Sequence, residues 1–388
     1  MGLLSNTTSL CQFHIVGTPP TDDFFTWAGA RLTAQGFRSI DDCADELSMG
    51  WVQLDDTRDS TFEVRDTFQR DHYLTFTLRR DQRRVPAALL RAHFEQAQRE
   101  FLTAHPGLQR VPKQKKADLR EAVFAKLLAR TLPAPACYDV LWDTRNGVVT
   151  FANLGGKMVD TFVELFKKTF DGLRLVAIHP YARAESLLDA PLQHALRAAN
   201  GSGATTELDL IREYHWLGAD FLLWLMYQTM NESSSYAVCR PGPATVGEGF
   251  VAYLNDRLQL VGGGEAGAQK VTVAGPQDSF REVCVALQSG KQMAEALLYF
   301  EKGEHQWKLT LKGTLFQFAS FKAPSVRLER DNLTDPDSER EALFYERMHV
   351  MEEGLQLFDS LYRIFLELRL GTSWAAVRQR IDAWLAAA

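Results

Sequence analysis

Apolar positions recur at helical spacing along some stretches of the chain and at alternate positions along others. Gln12–Val16 reads as a strand. A helix over 23–34 follows, with Asp22 as cap, Phe24, Trp27, Ala28 and Leu32 on one side, and Gly36 as its stop. Residues 62–68 and 73–78 alternate around Gln69-Arg70-Asp71, which predicts a hairpin. Pro86 opens a helix over 87–103, and His105-Pro106-Gly107 breaks it before a second helix over 113–130. The stripe of that second helix is Leu119, Val123, Phe124, Leu127 and Leu128. Strands at 138–143 and 148–152 flank the turn Asn146-Gly147, a helix covers 157–170, and a strand returns over 173–178. A long helix over 207–230 precedes strands at 251–261, 270–273, 294–300 and 307–311, the last two joined across Lys302-Gly303-Glu304. Asp278 is placed to cap a helix over 279–288. The tail from Pro336 is helical, with Phe344, Met348, Met351, Leu355, Phe358, Tyr362 and Phe365 forming a seam at alternating spacings of four and three. An ordinary core helix is the plainer reading of that seam; pairing with another chain is the other. The mixture predicts an α+β fold of mixed sheets with packed helices.

Composition narrows the class. The chain has 388 residues, 46% of them hydrophobic and 24% charged, enough for two or three folding units with sizeable cores. The most apolar run, Trp216–Tyr227, is too short to span a bilayer and contains Asp220, so no membrane role is expected. No basic residue precedes Arg31, so no secretory leader is expected, and Asn6 stands where a myristoylation signal needs Ser or Thr. The five cysteines are dispersed without a CxxC pair and read as reduced core thiols of a cytoplasmic protein.

Net charge is −6, which by itself argues against a polyanionic ligand. Its distribution argues the other way. Residues 79–126 hold twelve Lys/Arg against five Asp/Glu, a net +7, which leaves −13 on the remainder. Two basic helices around a Pro/Gly corner suggest a protruding basic helical arm, and Lys113, Lys116, Arg120 and Lys126 fall largely off the apolar stripe. A solvated surface hairpin without a partner is the plain alternative.

Signatures of catalysis are sparse. There is no HExxH, no GxSxG and no phosphate-binding lysine loop, and neither a metal nor a cofactor is expected. Gly262, Gly264 and Gly267 match GxGxxG, but the strand-like Lys270–Val273 follows where a dinucleotide fold needs a helix. Asp139 and Asp143 share one face of a strand and could hold Mg²⁺ in a nuclease; the turn-like sequence after Asp143 explains it equally well as a hairpin corner. His179 and His215 read as packed or surface histidines.

Several segments together resemble the RdgC family of bacterial recombination-associated proteins. They are Met49-Gly50-Trp51-Val52, Lys115–Val123 leading to Leu127-Leu128-Ala129-Arg130, Trp142–Val149, Leu165–Phe170, Ser289–Met293 and Leu309–Leu315. The likeness is collinear from about residue 10 to 325. It implies a non-enzymatic, nucleoid-associated protein whose ring-shaped homodimer encircles duplex DNA with little sequence preference and restrains recombinase-driven strand exchange by competing indirectly for DNA. Single-stranded DNA stays open as a second ligand. Carried onto this chain, the finger cations are Lys113, Lys115, Lys116 and Arg120, and the opposite contact falls at Gln269 and Lys270. Arg79, Arg80, Arg83 and Arg84 are expected in support. Leu132 stands at the family's aromatic interface position, and residues 331–388 have no counterpart in the likeness.

The resulting expectation has five parts: an N-terminal α/β part (1–80), the basic arm (81–132), a central α/β part (133–200), a second α/β part (201–330) and a C-terminal helical extension (331–388). Asn200-Gly201-Ser202-Gly203 is a plausible boundary. The expected function is sequence-tolerant duplex binding. A metal-dependent exonuclease and a protein-interaction scaffold built on the 344–365 seam are the rivals.

Overall fold

Along His305–Lys312 (β12) every second side chain, Trp307, Leu309 and Leu311, is buried, and the residues between them turn away from the core. That alternation sets the pattern of the larger of two units into which the chain divides, residues 1–16, 147–163 and 174–388; the smaller holds 17–146 and 164–173. The computed structural model describes residues 2–20, 22–43, 45–199, 206–264, 267–275, 280–326 and 335–387. The boundary expected at Asn200–Gly203 and the cap expected from Asp278 lie outside them.

The larger unit is built on an antiparallel sheet. Its strands run β10 (Gly267–Ala274), β9 (Gly249–Gly264), β11 (Gln292–Lys302), β12, β13 (Gln317–Lys322), β1 (Thr7–Val16) and β6 (Val148–Phe151). Strand β7 (Arg174–Ala177) lies beside β1, and β8 (Ser235–Ala237) beside β9. The hairpin expected at Lys302-Gly303-Glu304 forms, with Lys302 opposite His305 and Gly303 at φ 58°. The helix expected over 207–230 is two: α7 (Glu207–Glu213), capped by Thr206, and α8 (Trp216–Asn231). Helix α8 comes so close to the turn after β12 that a Cβ on Gly218 would sit 2.1 Å from the Gly313 carbonyl oxygen. Short helices α5 (Pro180–Leu187), α6 (Ala190–Ala198) and α9 (Arg281–Gln288) complete this unit with α10 (Pro336–Leu370) and α11 (Trp374–Ala387).

The tail seam is core. Phe344, Met348, Met351, Phe358, Tyr362 and Phe365 are all buried. Phe358 meets Phe221, Phe316 and Phe318 edge-on, at centroid distances of 5.9, 5.4 and 5.0 Å. Polar ties accompany the packing. The Trp307 indole donates to the Val350 carbonyl at 2.7 Å, the Tyr362 hydroxyl to Pro180 at 3.1 Å, and Arg183 pairs with Asp359 at 2.7 Å. Arg347 donates to the carbonyls of Leu3 and Ser5 at 3.1 and 2.6 Å. The seam's apolar side is therefore spent inside its own chain, which removes the basis for a scaffold that would use it.

His179, ahead of α5, is 2% exposed, and burial alone lowers its imidazole from 6.5 to about 4. The folded chain thus refuses a proton that the unfolded chain accepts near pH 6.5. Stability present above that pH is lost as pH falls toward 4, by about 2–3 kcal/mol near pH 4.5. Urea titrations at pH 7 and 4.5 should show this loss in the native chain and a smaller one in His179→Gln. Equal losses would remove His179 as the cause.

In the smaller unit the sheet is β5 (Ala134–Asp143), β4 (Tyr73–Gln82) and β2 (Leu47–Val52), with β3 (Gln69–Arg70) beside β4. Its core is aromatic. The Trp51 indole donates to the Thr169 hydroxyl at 2.7 Å and meets Phe76 edge-on, while Trp142 packs against Phe24 of α1 (Phe24–Ala34) and against Phe170. Where β2 passes Phe37, a Cβ on Gly50 would lie 2.5 Å from the Phe37 Cα, so only glycine fits. The strand expected at 62–68 is absent: a 3₁₀ turn over 65–67 intervenes, and Phe62 and Phe68 pack on each other at 5.8 Å. Buried aromatics six apart anchor a loop here, a spacing that alternation also satisfies.

Between β4 and β5 the chain forms two helices that pack along each other, α2 (Ala87–Ala104) and α3 (Lys113–Leu128). Helix α2 has no buried residue, and α3 has one, Leu127.

Candidate nucleic-acid interface

Helix α3 begins at Pro112, which offers no side-chain cap, and its first turn carries Lys113, Lys115 and Lys116 with no acidic residue. A helix N-terminus is the positive end of its dipole and leaves its first amides without carbonyl partners, so cations there oppose helix stability. Their placement is unfavourable for the isolated helix and favourable for an anion, which would receive backbone N–H groups and ammonium groups together. Lys113, Lys115, Lys116 and Arg120 are exposed, and among the described residues none forms an ion pair. Lys116 and Arg120 also edge a groove of about 530 Å³ between the two helices, which Leu90, Phe94 and Phe124 line. Elsewhere on the hairpin Arg91 pairs with Glu95 at 3.0 Å.

The four arginines before α2 divide by the two-residue period of β4 and its continuation. Arg79 and Arg83 turn inward. Arg79 is bidentate to Asp81 at 2.7 and 2.8 Å, donates to the Thr57 carbonyl and lies 4.3 Å from the Phe37 ring centroid. Its hydrogen bonds to Asp81 raise its guanidinium above the ordinary value. Arg83 is 4% exposed and donates only to backbone carbonyls. Both are corrections to the expected phosphate contacts, because their donors are already consumed within the unit. Arg80 and Arg84 turn the other way and share the Gln82 side-chain oxygen, at 2.6 and 3.2 Å. The alternation of a strand carries this division, and reading the four arginines as one basic run overlooks it.

In the larger unit Gln269 and Lys270 lie on β10, opposite Gly262 and Val261 of β9, and both are exposed. Leu132, just after α3 in the smaller unit, is 84% exposed. The polar face of the larger sheet adds three lysines not anticipated from sequence. Lys308 and Lys312 occupy the outward positions of β12, and Lys322 of β13 lies beside Lys308. Lys308 is held by Asp256 at 3.3 Å; among the described residues Lys312 and Lys322 have no ion pair. For two of them the signal was present in the alternation of β12, where Lys308 falls between Trp307 and Leu309 and Lys312 follows Leu311.

The other candidates resolve into local structure. Asp139 accepts from the Thr77 hydroxyl at 3.0 Å across β4 and β5. Asp143 accepts from the backbone of Arg145 and Asn146 and from the Asn146 amide at 2.6 Å, the geometry of a hairpin corner. Gly262 and Gly264 lie in β9 and Gly267 opens β10, so the glycine pattern joins two paired strands. His215 makes a short contact with the Arg212 carbonyl.

These elements define an α+β protein that displays uncommitted cations on a solvent-facing helical hairpin. Residues 28–208, just under half of the chain, match the family model described as "Putative exonuclease, RdgC", which supports membership of the RdgC family, a family of recombination-associated nucleoid proteins. No curated protein matches the chain. Among the described residues no helix is long and apolar enough to cross a membrane.

Proposed function

We propose that this protein binds duplex DNA without sequence preference, and that as a closed homodimer encircling the duplex it limits recombinase-driven strand exchange by occupying DNA. The supporting observation is the start of α3, where three lysines sit at the positive end of a helix dipole, with no acidic residue in that turn and no ion pair to them among the described residues. Helix stability gains nothing from that arrangement, whereas phosphate binding does. The hairpin acts as a basic arm, with Lys113, Lys115, Lys116 and Arg120 on phosphates and Arg80, Arg84, Gln269 and Lys270 in support. Lys312 and Lys322 add outward charge to the larger unit's sheet. Leu132 fits a protomer contact because so exposed an apolar side chain gains from being covered. The family description includes the word exonuclease; the carboxylates considered for that chemistry, Asp139 and Asp143, have partners that explain them locally. The proposal places the protein in the cytoplasm, on the nucleoid, and assigns it no catalytic step.

Duplex affinity measured at about 50 and 200 mM salt tests the reading. Charge-driven binding through six or more phosphates should weaken by at least about 10³-fold between them. A salt-independent affinity, or sequence-selective binding that survives high salt, would overturn it.

A further inference from the structure

Arg83 stands just ahead of α2, at one root of the helical hairpin. Its guanidinium is shared between two segments of the smaller unit. Nη1 donates to the carbonyls of Leu128 and Thr131, at 3.4 and 3.0 Å, where α3 ends and the chain leaves the hairpin. Nη2 donates to the carbonyls of Ile40, Asp41 and Cys43, at 2.6, 3.1 and 3.0 Å, in the loop before β2. The backbone amide of Arg83 adds a bond to the Glu46 carbonyl at 2.9 Å. One buried side chain thus joins both roots of the hairpin to the body of the unit. The planar fork of arginine lets the four N–H groups of Nη1 and Nη2 reach five carbonyls, with one N–H of Nη2 shared between two of them. Its positive charge also sits at the negative end of the α3 dipole.

The β4–β5 ladder ends at Gln82 and Ala134, at the base of the hairpin, and beyond it α2 and α3 bury only Leu127, so side-chain packing adds little to hold the hairpin's angle. The consequence grows with distance from the root. Helix α3 runs from tip to root over 16 residues, about 24 Å, so a root rotation of about 10° moves Lys113 by about 4 Å. Hydrogen bonds to phosphate tolerate far less.

We propose that Arg83 is a positioning residue that fixes the angle of the helical hairpin and thereby the reach of Lys113, Lys115, Lys116 and Arg120. The positioning stands on geometry alone; its effect on DNA rests on the function proposed above.

The test uses the full chain with spin labels carried on unnatural side chains at Gln109 and Glu63, both in the smaller unit. The distance distribution is measured in the native chain, in Arg83→Lys and in Arg83→Gln, with circular dichroism as a check on folding. Arg83→Lys keeps the charge but cannot bridge the five carbonyls. Both variants should broaden the distribution at least twofold, lower duplex affinity at least fivefold, and flatten its salt dependence. A width unchanged from the native chain in a folded variant overturns the proposal. Failure of both variants to fold also overturns it, since Arg83 would then determine the fold and not the angle. A broadened distribution with native duplex affinity and native salt dependence would support the positioning role and sink the DNA reading instead.

Discussion

Replacing Lys113, Lys115 and Lys116 together by glutamate is expected to lower duplex affinity by well over tenfold while leaving the fold intact. Each neutralised phosphate contributes about 0.9 to the log–log salt slope, so losing three contacts should flatten it by about 2.7. The fold should tolerate the change for a definite reason. The three side chains are exposed, Glu and Lys have similar helix propensity, and carboxylates in a first turn suit the helix dipole better than ammonium groups do. Thermal stability should therefore hold or rise as binding falls, a combination that general damage to the protein does not produce. Measuring the melting temperature and the affinity at three salt concentrations separates the cases. Native affinity in the triple variant would remove the hairpin from the mechanism.

The second large effect concerns the C-terminal helix. Phe358→Ala should cost about 3–5 kcal/mol, the usual range for truncating a fully buried phenylalanine. The ring is 0% exposed and touches Phe221, Phe316 and Phe318, which belong to α8, the turn after β12, and β13, so no one of them can move in to fill the gap. Removing the chain from residue 335 onward should prevent the larger unit from folding. It strips the cover from those rings and from Trp307, and leaves the buried guanidinium of Arg183 without Asp359. Urea denaturation followed by near-ultraviolet circular dichroism reads both changes. A truncated chain that unfolds with native cooperativity would show that the tail is an appendage and not core.

The resemblance is carried by residues that are legible because their roles are local. Met49-Gly50-Trp51-Val52 holds one strand, with Gly50 where no side chain fits and Trp51 in the core. The hairpin helices, the Lys302-Gly303-Glu304 turn and the exposed lysines of α3 likewise follow from spacing and turn chemistry. Other assignments depended on neighbours distant in sequence. Nothing within Arg79–Arg84 says that Thr57 and Ile40–Cys43 wait on one side of the strand. The 344–365 seam shows only that a partner surface exists, not that α8 and β13 of the same chain supply it.

Sequence alone determined most of the periods, the strand expected at 62–68 and the unbroken helix over 207–230 apart, together with which faces are apolar and that positive charge gathers on 79–126 of an otherwise acidic chain. These are properties of neighbouring residues, so adjacency along the chain is enough to express them. Tertiary structure decided which of those charges are free to meet a ligand and which hold the fold together, and it turned the tail from a candidate interface into core. Both outcomes depend on carbonyls, carboxylates and rings brought together across tens to hundreds of residues.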